Sequence, residues 1–368
     1  MGVRAFRILS IDGGGIRGAF AASFLASIER KIGRPICDYF DLIAGTSTGA
    51  IIAMALALGE PSSRVQTLYE QHGPGIFTRP NRRVPWSIRA FATVARSRVP
   101  GLDAAWLIGT KYSAAPLASV LRAFFADRTL EDAKRRLLVP AIDLTKGQPV
   151  VFKTPHLPGL DRDRHFRAAD VVLATTAAPS YFPHATILPG SSYCDGGLWA
   201  NNPSVLAIAE ACQIQQQCRR PDVDPSFGIN DIALLSIGTG TDPYFLDAPA
   251  DEADGLLFWA LRLLDVSGIS QSQGMTSIAQ YLLGGGRHLR IDFTIPKSGW
   301  RLDAIEALER LIHLGREEAE KRFTDLRPLF LQAPALPFTA FPRPSPATEG
   351  ADTPDQHALP EGRRPSDG

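Results

Sequence analysis

A serine flanked by glycines, Gly45-Thr46-Ser47-Thr48-Gly49, lies between the apolar runs "DLIAG" and "AIIAMALALG". Gly-x-Ser-x-Gly between a strand and a helix is the setting of a nucleophile elbow. The sharp turn lifts the hydroxyl clear of the sheet edge, glycines on both sides relieve crowding, and the helix N-terminus favours a developing alkoxide. Alone, the pentapeptide reads equally as a small-residue turn. A nucleophilic serine also needs a base and donors for an oxyanion. The usual base is histidine, and the chain has seven. His72, His156, His165 and His184 fall in loop-like stretches and His313 on a late helix, and none has a catalytic context. Asp195, in "SSYCDGGLWANNP", is the other candidate: an acid held at a tight turn by Gly196 and its neighbour, after a strand-like "SSYC". Taken alone it is a turn aspartate capping its own backbone.

The third feature is "ILSIDGGGIRGA", where an apolar run breaks at Gly13, Gly14 and Gly15. The spacing Gly13-x-Gly15-x-x-Gly18 fits a dinucleotide-binding turn, and equally a loop whose N–H groups hold another anion. A dinucleotide turn needs an acid at the far end of the second strand to hold the ribose. Asp38 and Asp41 stand before "LIAG", at the wrong end of that strand, and the serine elbow occupies the right one.

These turns need a scaffold. "FRILSI" (Phe6–Ile11) and "DLIAG" read as short buried parallel strands, each followed by a glycine turn and a helix. Phe20, Phe24, Leu25 and Ile28 share one face of the first helix. "LLVPAIDLT" and "DIALLSIGTG" read as further strands, with helical segments near Ala115–Phe125 and Pro203–Gln216. A late amphipathic helix carries Leu302, Ile305, Leu308 and Ile312 on its apolar face. This alternation predicts an α/β fold, a central mostly parallel sheet flanked by helices on both faces.

Composition sets bounds. The chain has 368 residues, 45% of them hydrophobic and 21% charged, with a net charge of +1; a general electrostatic grip on polymeric nucleic acid is not expected. Cys37, Cys194, Cys212 and Cys218 form no Cys-x-x-Cys pair, which argues against a metal site or disulfide framework and for a reducing compartment. No apolar stretch approaches the ~20 residues that cross a bilayer. From Gln71 to Leu102 there is no acid, and six arginines interleave with Trp86, Ile88, Phe91 and Val94. This reads as a basic, lid-like insertion (71–102), or as a solvated loop with its aromatics in the core. From Pro334 onward, eight prolines in 35 residues predict a disordered tail (334–368) after a single domain spanning 1–333.

"DGGGIRG", "GTSTG" and "DGGLWANNP", in this order and spacing, resemble the patatin-like phospholipases. The resemblance implies the three-layer patatin-like fold and hydrolysis of phospholipid acyl esters. It implies Ser47 as nucleophile, Asp195 as a base acting without histidine, and N–H groups of Gly13, Gly14 and Gly15 as the oxyanion hole. Arg17, Gly45, Gly49 and Gly196 support them, and neither metal nor catalytic cofactor is needed. "AIDLTKGQPVVFKTPH", "VVLATTAAPSYFP", "DIALLSIGTGT" and "HLRID" resemble a narrower group, the effectors of bacterial cyclic-oligonucleotide antiphage (CBASS) systems. That resemblance implies activation by a cyclic dinucleotide second messenger and a cytoplasmic enzyme, peripheral at the inner face of the membrane when active. Homo-oligomerisation and lid movement both stay open as routes of activation. A constitutive lipase, or a catalytically silent nucleotide-binding protein of the same fold, could share these stretches.

Overall fold

The computed structural model describes residues 4–77, 109–217, 227–242, 256–284, 286–296 and 300–342. Phe6–Ile11 forms β1, buried throughout. Leu9 and Ile11 join one hydrophobic cluster, Phe6 and Ile8 another, so the two-residue alternation of the strand feeds a core on each side of the sheet. Helix α1 (Gly18–Ile32), strand β2 (Leu42–Gly45) and helix α2 (Thr48–Ala57) complete the expected strand–turn–helix repeats. Every residue of α2 is buried, as expected for a helix apolar on all sides.

Helices α3 (Ser62–Ile76) and α4 (Ala115–Phe125) lead to the hairpin of β3 (Arg136–Asp143) and β4 (Gln148–Lys153). Helix α5 (Ala168–Thr176), strand β5 (Tyr193–Asp195), the short helix α6 (Gly197–Ala200) and helix α7 (Ser204–Gln217) follow. Strand β6 (Ile232–Ile237), helix α8 (Leu256–Leu283), strand β7 (His288–Ile291) and helix α9 (Leu308–Phe330) complete the described elements. The sheet order is β4-β3-β2-β1-β6-β7. The strands from β3 through β7 in that order run parallel, and β4 is antiparallel at the edge. One core cluster joins the sheet to α1, α2, α5 and α9, the other to α7 and the end of α8, which gives three layers. Strands β1, β2, β3 and β6 fall on the apolar runs of the sequence. No described helix is long and apolar enough to cross a membrane.

The placement of β5 matters most. The pairing of β2 with β3 ends at Ala44 opposite Leu138. Farther along β3, with β4 holding the other edge, β5 enters antiparallel and sets Asp195 opposite Ala141. The turn leaving β2 and the end of β5 therefore meet on one edge of β3.

Two expected boundaries change or pass out of view. The tail does not begin at Pro334, because residues 334–342 lie against the body. Ala335 is buried and donates its N–H to Asp38 O at 2.7 Å, and Phe341 N–H donates to Pro155 O at 2.7 Å. Arg135 and Arg164 donate to the Leu336 and Phe341 carbonyls at 2.9 and 3.0 Å. An extended proline-rich stretch keeps its carbonyls free, and buried arginines can take them; side-chain composition alone misses that. Residues 343–368 lie outside the described residues. Of the basic insertion, the first residues complete α3, and 78–102 lie outside the described residues.

Candidate active site

Ser47 follows β2 at φ 54° and ψ −123°, a backbone conformation that a non-glycine residue holds only when its surroundings enforce it. The enforcement is visible. Thr46 N–H donates to Ile11 O at 3.2 Å, and Thr46 Oγ1 donates to Ala200 O at 2.6 Å. Ser47 N–H donates to Thr175 Oγ1 at 3.0 Å, and that hydroxyl donates to Pro140 O at 2.6 Å. The turn admits no bulk. A Cβ on Gly45 would sit 2.4 Å from Gly49 O, and one on Gly49 would sit 2.3 Å from Ile11 O.

Ser47 Oγ donates to Asp195 Oδ2 at 2.6 Å. Asp195 Oδ1 accepts the Gly197 N–H at 2.7 Å, which turns the other oxygen to the serine. The Asp195 N–H donates to Ala177 O at 3.1 Å, and a Cβ on Gly196 would strike Pro140 O at 2.2 Å, so this turn lies tight on β3. Asp195 as a whole is 5% exposed. Burial pushes its pKa up to about 6, against the pull of the hydrogen bonds from Ser47 and Gly197. Such a carboxylate is ionised at neutral pH yet more basic than an ordinary aspartate.

The glycine loop runs alongside: a Cβ on Gly13 would lie 3.2 Å from Ser47 Cβ. Its three N–H groups are not equivalent, which narrows the expected donor set. Gly13 N–H donates to Asn201 O at 3.0 Å and is committed to that carbonyl. Gly14 and Gly15 N–H make no hydrogen bond among the described residues, and both residues line the cavity. Gly15 has φ +58°, and a Cβ there would meet Leu302 O at 2.2 Å. Arg17 is half-buried, donates from Nε to Gly14 O at 3.4 Å, and lines the same cavity.

Ser47 and Asp195 open on a cavity of about 660 Å³, within the size range of small-molecule sites. Ile51, Ile76, Phe77, Leu117, Tyr181 and Phe182 supply apolar wall, and α8 lends the face of Gly268, Ile269, Ser272 and Gln273. No histidine lines it among the described residues. His156 is buried, with Thr154 on Nδ1 and Glu210 on Nε2, both at 2.8 Å. His72 lies within α3 rather than a loop. Asp41 and Asp38 sit at the start of β2, tied to Arg4 at 2.5 Å and Arg135 at 2.9 Å, remote from the strand end where a ribose would lie. The arrangement suits attack by an oxygen nucleophile on a carbonyl with a long apolar substituent.

A model of the family described as patatin-like phospholipase matches residues 9–208, more than half of the chain. The chain belongs to the patatin-like phospholipase family. It is accordingly an ester hydrolase of the phospholipase type. It is 34% identical over 357 residues to a cGAMP-activated phospholipase of Vibrio cholerae serotype O1, covering 90% of this chain and 96% of that one. It is 31% identical to a cGAMP-activated phospholipase of Pseudomonas aeruginosa, over 89% of this chain and 92% of the other. A cUMP-AMP-activated phospholipase of Escherichia coli is 27% identical, over 87% and 92%. The narrower resemblance drawn from the sequence leads to these same relatives.

Several residues of this phospholipase's site escape a reading of spacing. Thr175, which supports the Ser47 amide, sits in "VVLATTAAP" with nothing to mark it. Asn201, which holds Gly13, belongs to "DGGLWANNP". Thr239 donates to Gly13 O at 2.6 Å from "SIGTGT", a link across 226 residues.

Proposed function

We propose that this chain hydrolyses the acyl esters of membrane phospholipid with a Ser47–Asp195 dyad and is switched on by a cyclic dinucleotide, as an effector of antiphage defence. The observation that carries the chemistry is the 2.6 Å hydrogen bond from Ser47 Oγ to a buried aspartate, beside two backbone donors with no partner among the described residues, in an apolar-walled cavity.

The steps follow from the geometry. Ser47 Oγ attacks the ester carbonyl carbon, and its proton passes to Asp195 Oδ2. The carbonyl oxygen takes the negative charge and meets the N–H groups of Gly14 and Gly15; each preorganised donor of this kind is worth about 3–4 kcal/mol. The tetrahedral adduct collapses, the ester C–O bond breaks, and the leaving lysophospholipid alkoxide takes the proton back from Asp195. Water then attacks the acyl-enzyme and gives its proton to Asp195; the acyl C–O bond breaks, Ser47 Oγ takes that proton back, and fatty acid leaves. Ile51, Phe77 and Leu117 offer the acyl chain an apolar wall.

Regulation rests on the relatives: three proteins aligned over nearly their whole length are named for activation by a cyclic dinucleotide. Fatty-acid release from phospholipid vesicles, measured with and without a panel of cyclic di- and trinucleotides, tests both halves. Release that depends on cGAMP or a related dinucleotide and vanishes in Ser47→Ala and Asp195→Ala is expected. Retained release in Ser47→Ala removes the dyad, and equal release with and without every nucleotide removes the switch.

A further inference from the structure

Beside the glycine loop, in the wall of the same cavity, lies a largely buried ionic cluster that the chemistry above does not use. Asp12, directly before Gly13, is 1% exposed. Arg290 of β7 grips both its oxygens, Nη1 to Oδ1 at 3.0 Å and Nη2 to Oδ2 at 2.7 Å. The sheet register makes the reach possible. Arg290 pairs with Ser236, and Ser236 with Ser10, so the three lie in a row across β7, β6 and β1, with Asp12 two residues beyond Ser10. Arg290 Nη1 also donates to Ser236 Oγ at 2.7 Å, and Nη2 to Asp292 Oδ2 at 2.8 Å. Asp292 in turn accepts the Gly240 N–H at 2.8 Å. From α8, Ser272 Oγ donates to Asp12 Oδ2. Burial alone would lower the pKa of Arg290, but Asp12 and Asp292 hold it above its ordinary value, so it stays charged.

An ion pair with one partner at 1% exposure and the other at 19% carries a desolvation cost, so its presence asks for a reason. The glycine loop supplies one. Its donors must be fixed to within about 0.5 Å to meet an oxyanion, yet glycines are the least restrained of residues. The Asp12 amide is pinned to Ile237 O at 3.0 Å, and its carboxylate to a planar fork seated two strands away.

Resting on the oxyanion reading above, we propose that Arg290 is a positioning residue for hydrolysis, acting through Asp12 to hold the Gly14 and Gly15 donors in place, with Ser272 tying α8 to the same carboxylate. Arg290→Lys keeps the charge and loses the fork. Asp12→Asn keeps the shape and loses the charge. Ser272→Ala removes only the bond from α8.

Each variant is assayed with cGAMP present on p-nitrophenyl butyrate, which has no headgroup, and on phosphatidylcholine vesicles. Each is also titrated with an acyl trifluoromethyl ketone. Ser47 Oγ adds to that ketone's carbonyl carbon while its proton passes to Asp195, and the carbonyl oxygen becomes an alkoxide held by the loop. Arg290→Lys and Asp12→Asn are expected to lose about 100-fold in kcat, the scale of a loop displaced by ~1 Å, with KM unchanged. The ketone's affinity is expected to fall by the same factor. Ser272→Ala shows a smaller loss, again shared by kcat and ketone. If the first two variants do not fold, Ser272→Ala decides alone, and wild-type kcat and ketone affinity in it overturn the proposal. A lowered melting temperature with kcat per folded molecule intact overturns it as well. So does an effect confined to KM on phosphatidylcholine, which marks Arg290 as a headgroup contact. If wild type hydrolyses these substrates under no nucleotide of the panel above, or hydrolyses them without dependence on Ser47, the dyad fails and this proposal with it. If wild type is active and Ser47-dependent while all three variants match it, this proposal alone fails.

Discussion

Ser47 Oγ and Asp195 Oδ2 stand 2.6 Å apart although 148 residues separate them in the chain. The contact follows from one edge of β3. The pairing of β2 stops at Leu138, and β5 enters at Ala141, so the turn that ends one strand faces the last residue of the other. Thr175 fills the corner, with its hydroxyl between the Ser47 amide and the Pro140 carbonyl of β3.

The proposed base, Asp195, gives the first prediction. Asp195 accepts a proton only when ionised, and its pKa lies at about 6. On a soluble ester whose own ionisation is constant, kcat/KM should rise about tenfold per pH unit up to about 6 and level off above it. An acid limb centred near 4 would mean that burial does not raise this carboxyl. Asp195→Asn should lose about 10⁴-fold in kcat, the scale for removing one member of a catalytic unit.

The same shift should appear in stability with a definite sign. Asp195 binds its proton more tightly in the folded protein than its ordinary value of 3.8 allows, so ionising it opposes folding. Its contribution is neutral below 3.8, turns unfavourable as pH rises to about 6, and stays so above. Two pH units correspond to about 3 kcal/mol. Asp195→Asn should therefore unfold at higher temperature than wild type at pH 8, and the gap should close as pH falls to about 4. A gap of equal size at both pH values would show that charge burial is not its source.

How much of this site is legible in the sequence depends on separation along the chain. Strands β1 and β2, the serine elbow and the glycine loop lie close together in sequence, and each carries a local signature: an apolar run, then glycines, then a helix. Asp195 came from a motif resemblance, because its partnership with Ser47 depends on β5, a strand of three residues with no periodicity to detect. In sequence Gly13 is no different from its two neighbours; only the fold brings the Asn201 carbonyl to its amide. Arg290 and Asp12 are linked over 278 residues through the register of three strands. Helix α8 offered no pattern because apolar, small and polar residues are mixed along it.

Thr175 is expected to matter although it touches no substrate. Thr175→Val keeps the shape and leaves the Ser47 amide without its acceptor beside an unfavourable φ, a loss of about 1–3 kcal/mol in holding the elbow. It should lower kcat about tenfold or more with little change in KM. Thr175→Ser, which restores the hydroxyl, should recover most of the rate. Equal losses in both variants would trace the effect to packing.

Glu210 and His156 form a second buried polar centre, expected to serve stability alone. Burial alone would raise the Glu210 pKa, but the hydrogen bond from His156 at 2.8 Å and the Lys153 ammonium at 2.6 Å hold it down to about 2, while burial favours the neutral imidazole of His156. Its depressed value means stability that is fully present above its ordinary 4.5 and is lost as pH falls toward about 2. Glu210→Gln should destabilise by about 3–5 kcal/mol at pH 7, the scale for breaking one partner out of a buried ion pair. Ester hydrolysis per folded molecule should be unchanged. A specific fall in kcat would give this cluster a catalytic part.

The packed stretch 334–342 leads to a truncation experiment with opposite expectations for two neighbouring cuts. Ending the chain after Ala333 takes the Leu336 carbonyl from Arg135, which keeps Asp38, and the Phe341 carbonyl from Arg164, which keeps Glu131 and Asp161. It also removes the Phe338 ring that lies 5.2 Å from the Arg136 guanidinium. Arg136 and Arg164 are nearly fully buried, at 1% and 2% exposure, so their donors cannot all turn to water. Each buried donor left without a partner costs about 1–3 kcal/mol. The protein ending at Ala333 should thus melt clearly below the one ending at Pro342. With both folded at low temperature, the two should hydrolyse esters equally, because no residue of 334–342 lines the cavity. Equal melting temperatures would mean that these arginines find other acceptors once the stretch is removed.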